Sequence, residues 1–137
     1  MERKSENSKS LNFLSGEILD AAIEVHRVLG GPGLLESVYE EALAFELTLR
    51  GHKVETQKAI PVIYKDHWIK QPLFLDLLVR DEVIVEVKSS EKFNPVFKAQ
   101  LLTYLRLTNR SLGLIINFGE KYVKDGFHRI VNNFPEK

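Results

Sequence analysis

The chain has 137 residues, 44% of them apolar and 28% charged, which suits one folded domain with a real core and excludes a largely disordered chain. It contains no cysteine, which removes disulfides, thiolate metal sites and cysteine nucleophiles, so any metal must be held by oxygen or imidazole. Nineteen basic residues balance nineteen acidic ones, which argues against a static nucleic-acid coat but is compatible with transient, catalytic contact.

The polar start, Met1 to Ser10, lacks the apolar stretch of a secretory signal; residues 1–12 are expected to be a flexible tail on a single domain at 13–134 in a cytoplasmic protein. Ile18, Ala22, Val25 and Leu29 recur at helical spacing and predict an amphipathic helix from about Ser15 to Leu29, ended by Gly30-Gly31-Pro32-Gly33. A second helix is expected from about Leu34 to Arg50, with Leu34, Val38, Ala42, Phe45 and Leu49 on its core face and Gly51 as its stop. The period then changes to two. Val54 to Tyr64, Trp68 to Val79 and Val83 to Val87 predict an antiparallel meander turning at Lys65-Asp66-His67 and Arg80-Asp81-Glu82. Asn94-Pro95 opens a helix to about Thr108. Leu112 to Phe118 reads as a buried strand, Gly119 to Gly126 as a turn, and Phe127 to Val131 as an added edge strand. The longest uncharged apolar run, Ser111 to Gly119, is far short of the ~20 residues that span a bilayer. The order α-α-β-β-β-α-β predicts an α/β fold, a mixed sheet flanked by helices.

Chemistry concentrates in the hairpin Phe74 to Lys88. Alternation puts Leu75, Leu77, Val79, Val83, Val85 and Val87 on one apolar face. The other face carries Phe74, Asp76, Leu78, Ile84, Glu86 and Lys88, so the charged residues of two apolar strands share a side. With a three-residue loop Asp76 faces Glu86, the Cβ atoms ~5 Å apart. Facing carboxylates repel, and Lys88 offsets only part of that charge. A hard divalent cation on carboxylate oxygens would offset the rest and would support phosphodiester hydrolysis, with the lysine orienting water or stabilising charge. The alternative is an ion pair of Glu86 with Lys88 on a solvated face. Against it, both faces are apolar and a helix is available to cover each.

These residues carry a resemblance. Asp76, nine intervening residues and Glu86-Val87-Lys88 resemble the PD-(D/E)XK nuclease signature, with Leu75 where the superfamily's name has proline. Gly33-Leu34-Leu35-Glu36-Ser37-Val38-Tyr39 is similar to the motif that names the GxxExxY proteins, with His26-Arg27-Val28-Leu29-Gly30 before it and Gly113 to Gly119 late in the chain. The resemblance implies a restriction-endonuclease-like core and a nuclease that uses Mg²⁺ or Mn²⁺. It implies Asp76 and Glu86 as metal ligands, Glu36 as a further one, and Lys88 as the catalytic lysine. Gln100 and Tyr104 resemble a Q-x-x-x-Y element that supports catalysis and substrate.

Spacing bears on these added residues separately. Glu36 and Tyr39 share a helix flank and could both lean toward the cluster, although an acid in a first turn also simply favours the helix dipole. Gln100 and Tyr104 share a face, where Gln could steady a metal-bound water and Tyr touch phosphate; equally they suit a polar helix–sheet boundary. His26 reads as a core or boundary histidine. Lys98, with Lys92, Arg106, Arg110, Lys121 and Lys124, could meet a phosphate backbone. The expected substrate-binding residues are thus Tyr104, Lys98 and Tyr39. Nucleic acid, DNA foremost, is the expected partner, and a homodimer is compatible with the superfamily. The competing readings are a catalytically silent module that binds nucleic acid or a protein, and a phosphohydrolase for a small nucleotide.

Overall fold

A computed structural model describes residues 2–135. Helix α1 spans Glu2–Leu29 and α2 spans Glu36–Leu49. Strand β1 (Val54–Ile60) leads through a small hairpin, β2 (Ile63–Tyr64) and β3 (His67–Trp68), to β4 (Leu73–Val79) and β5 (Val83–Lys88). Helix α3 (Val96–Thr108) precedes β6 (Leu112–Asn117), a short 3₁₀ turn (Val123–Gly126) and β7 (Phe127–Val131).

The main sheet has the order β1-β4-β5-β6-β7. Its one parallel contact is β5 with β6, and the other neighbours are antiparallel. Parallel neighbours require a crossover, which α3 supplies. Helices α1 and α2 cover one face over Leu77, Val79, Val83, Val85, Val87, Leu112, Leu114 and Ile116. Helix α3 covers the other with Leu101 and Leu105 on Leu75, Leu78, Ile84 and Ile115. The expected mixed sheet between helices, the edge strand and the buried sixth strand are all present. Asn94 Oδ1 accepts from the Val96 N–H at 3.0 Å, as a residue opening a helix does.

Four local expectations need correction. Residues 2–12, expected to be a tail, are helical, and Leu11 and Leu14 reach the core, continuing the stripe of Ile18, Ala22 and Val25. Met1 lies outside the described residues, as do residues 136 and 137. The stripe expected to bury α2 faces outward instead, with Phe45 and Leu49 each 65% exposed. That helix is apolar on two faces, and Tyr39, Leu43 and Leu47, spaced i, i+4, i+8, are the ones buried. The expected three-stranded meander carries an excursion between its first two strands, because Lys65 and Asp66 both take positive φ and close a separate two-residue hairpin. Finally, Leu75 packs with the α3 cluster and not with Leu77, so alternation fails beside Asp76.

Candidate active site

The sheet is interrupted at Asp76. The β4–β5 ladder runs Val79↔Val83, Leu78↔Ile84, Leu77↔Val85 and stops there, one residue short of Asp76 and Glu86. Side chains take over from the backbone. The Asp76 N–H donates to Glu86 Oε2 at 3.1 Å, and the Val87 N–H donates to Asp76 Oδ2 at 2.9 Å. The β1–β4 ladder also skips one pair, Gln57 with Asp76, between Thr56↔Leu77 and Lys58↔Leu75. Gln57 sits at φ 46°, a left-handed conformation that costs a non-glycine residue about 1–2 kcal/mol. Its Nε2 donates to Glu40 Oε2 at 2.9 Å and to Asp76 Oδ1 at 3.3 Å. The carboxylates are therefore held where both neighbouring strand pairings open.

Burial gives this pair its electrostatics. Glu86 is 6% exposed, and burial, followed by the charge of Asp76, pushes its carboxyl from 4.5 up to about 8. The hydrogen bond from the Asp76 backbone and the Lys88 charge oppose that rise. Glu40 is also raised, chiefly by burial and further by Asp76 and Glu36, while its bond from Gln57 lowers it. Tyr104 is raised by burial and by the charges of Glu86 and Asp76, so its hydroxyl keeps its proton and can donate.

The predicted residues divide. Asp76, Glu86, Lys88 and Tyr104 come together at the α3 side of the sheet. Lys88 Nζ lies 4.6 Å from the centroid of the Phe97 ring. Glu36, expected to be a third ligand, is turned to the end of β5, where Oε2 accepts a long 3.4 Å bond from the Ser89 N–H. Gln100 is exposed one turn before Tyr104. Lys98 lies 5.5 Å from the Phe93 ring centroid and acts on His128, two strands across from β5, whose pKa is lowered by burial and then by Lys98.

Tyr39 is a correction. Expected at the substrate, it is wholly buried and stacked on Phe118 with centroids 4.6 Å apart. Its hydroxyl donates to Gly31 O at 2.7 Å and accepts from the Leu34 N–H at 3.2 Å, which ties down the loop between α1 and α2. Replacing it by phenylalanine is expected to cost about 1–3 kcal/mol, because two loop groups lose their partner, and to leave catalysis unchanged. Urea unfolding beside an activity assay checks both halves. His26 is a boundary histidine as expected, buried with Nε2 3.1 Å from Glu120 O.

Sequence reasoning missed Glu40, Gln57 and Asn117. Glu40 stands one turn beyond Glu36 on the same flank, a spacing that could have been read. Nothing in sequence marks Gln57. Asn117, wholly buried at the end of β6, clasps the chain just after Lys88: Oδ1 accepts from the Ser90 and Gly119 N–H groups and Nδ2 donates to Ser90 O, all at 3.0 Å. Gly119 is required there, since a Cβ would lie 2.3 Å from Ser90 O.

The strand pair opens at two carboxylates, Asp76 and Glu86, with Lys88 two residues along β5 and Tyr104 on the covering helix. A family model described as the PD-(D/E)XK nuclease superfamily matches residues 12–130, and the chain belongs to that superfamily. Its members generally use divalent metals. No curated protein and no solved structure matches the chain. Among the described residues, no helix is long and apolar enough to cross a membrane.

The donor set fits Mg²⁺ or Mn²⁺. Asp76 and Glu86 offer hard oxygen, and burial beside the Asp76 charge raises the Glu86 carboxyl, so a bound cation would favour the ionised pair. Among the described residues no three His, Asp or Glu side chains form a ready-made metal group, so Glu36 does not complete one. Two carboxylates suffice for Mg²⁺ where water and substrate phosphate supply the remaining ligands.

Proposed function

We propose that this protein is a GxxExxY-type, Mg²⁺- or Mn²⁺-dependent nuclease that hydrolyses phosphodiester bonds of nucleic acid, DNA foremost, and works in the cytoplasm. The reading is carried by one observation: the paired carboxylates of Asp76 and Glu86 fill the gap where β4 and β5 part, with Lys88 two residues further along β5. Asp76 and Glu86 would hold the metal, with Glu36 or Glu40 within one helix flank as reserve acids. When bound, the metal polarises the phosphoryl group and lowers the pKa of a bound water.

The remaining chemistry falls to the chain itself. Lys88 carries a proton-rich ammonium on a flexible stem and can donate to phosphoryl oxygens as charge builds on them. Tyr104, held protonated, donates a hydrogen bond to phosphate. Gln100, one turn earlier and open to solvent, offers an amide to orient water. Lys98 supplies charge toward the nucleic-acid backbone on the outer flank of α3.

Calorimetry with Mg²⁺ and Mn²⁺ tests the reading. Wild type is expected to bind and Asp76→Asn to lose binding at least about tenfold, since a ligand charge is removed. If neither protein binds a cation, alone or with a non-cleavable DNA present, the metal assignment fails and a silent binding module takes its place.

A further inference from the structure

The β2–β3 hairpin has no role in the site described above, yet its composition is unusual for a solvated turn. Its ladder pairs Ile63 with Trp68 and Tyr64 with His67, so one face shows Ile63 and Trp68 and the opposite face Tyr64 and His67. All four are exposed, Tyr64 by 61% and Trp68 by 63%. Lone exposed apolar residues need no explanation, but aromatic rings exposed on both faces of one small hairpin do. Phe74, at the hairpin's base, is exposed as well.

Charge and size indicate what covers these rings. Between Pro61 and Pro72 the chain carries Lys65 and Lys70 against Asp66 alone, and Lys65 Nζ lies 5.5 Å from the Tyr64 ring centroid. Flat rings interleaved with lysines suit unpaired bases on a phosphate backbone, where stacking is tolerant of sequence. The hairpin's two strands have two residues each, a size that suits contact with one or two bases.

Position agrees with this. The hairpin leaves β1 three residues after Gln57 and enters β4 three residues before Asp76, so its base is about 10 Å of strand from the carboxylates. It rises at the start of β4, and because β4 and β5 are antiparallel this is the end of the sheet at which β5 finishes with Lys88.

We infer that the β2–β3 hairpin is a stacking element for single-stranded DNA beside the Asp76–Lys88 site, taking one unpaired base on each of its faces, one on Trp68 and one on Tyr64. The inference rests on the nuclease reading only for what happens to the strand after it is held.

Trp68 is the only tryptophan in the chain, so its emission reports on this hairpin alone. The test titrates oligothymidylate of about 16 nucleotides into the full chain with a chelator present, which prevents cleavage, and repeats it with the matching duplex. Saturable quenching by the single strand, weaker with the duplex, is expected. Tyr64→Ala should weaken binding roughly 5- to 100-fold, the range for loss of one base-stacking ring. Tyr64→Phe should bind as wild type. Lys65→Ala with Lys70→Ala should flatten the logarithmic salt dependence by about 1.4, two charges at the single-strand value.

Thermal unfolding confirms that each variant is folded. Unchanged Trp68 emission while a labelled oligonucleotide binds would overturn the platform. So would equal affinity for the duplex, or no binding of either nucleic acid. An emission shift that grows with protein concentration in the absence of DNA would show a protein contact and would also overturn it. Cation calorimetry at Asp76 and Glu86 reads the nuclease assignment independently, so either idea can fail while the other stands.

Discussion

Lys88→Ala is expected to lower turnover by about 100- to 1000-fold, the usual loss when one pre-placed donor to a developing charge is removed. Stability should barely move. Lys88 is half-buried, and its ammonium lies against the Phe97 ring, a contact worth about 0.5–1 kcal/mol at a partly exposed site. The two magnitudes separate a catalytic lysine from a structural one. Turnover on a DNA substrate with Mg²⁺ or Mn²⁺, set beside thermal unfolding of the same variant, reads both. A variant that unfolds early and turns over normally would place Lys88 among the packing residues. A loss in kcat with little change in KM is the expected pattern, because the donor acts on charge that appears only in the transition state.

Glu86→Gln is expected to raise the stability of the metal-free protein at alkaline pH. The folded chain holds the Glu86 carboxyl at about 8, whereas the unfolded chain releases its proton near 4.5. Between those values the folded state carries the extra proton, so the contribution of Glu86 is fully present below pH 4.5 and is lost as pH rises to 8. Each pKa unit corresponds to about 1.4 kcal/mol, so the penalty reaches several kcal/mol at most. Glutamine keeps an oxygen for the Asp76 N–H and carries no charge. The gain over wild type should therefore grow from about pH 5 to pH 8 and stay level beyond. Saturating Mg²⁺ should close the gap from the wild-type side. Unfolding with a chelator across that range checks it, and parallel pH profiles for the two proteins would contradict a buried, uncompensated carboxylate.

Periodicity made the architecture legible. Alternation in β5 and the uninterrupted run of β6 gave the sheet, and the three-residue loop gave the register Val79↔Val83 to Leu77↔Val85 that leads up to Asp76 and Glu86, while in β4 alternation fails beside Asp76. The errors fall where periodicity is ambiguous. Helix α2 carries two apolar stripes, and the stacking of Tyr39 on Phe118, a contact between residues far apart in sequence, decides which is buried. The same contact removed Tyr39 from the expected substrate residues. Asp76, Glu86 and Lys88 stood out because charge is rare inside apolar strands. Gln57 and Asn117 are uncharged, and their importance comes from hydrogen bonds made across strands, which no local pattern encodes.

The single parallel contact in the sheet is also the one that depends on a long crossover between its two strands. Strands β4 and β5 are joined by a tight turn, as are β2 and β3, and β7 follows β6 closely, so each group can pair while its loops are short. Strand β6 reaches β5 only after α3 has crossed the sheet, and closing that long loop costs entropy before any contact rewards it. The Asp76–Glu86 pair belongs to the early, local half of the chain, whereas the grip of Asn117 on Ser90 forms only when β6 docks. The acidic pair thus rests on contacts close in sequence, whereas the segment just after Lys88 is held by a contact 27 residues away in sequence.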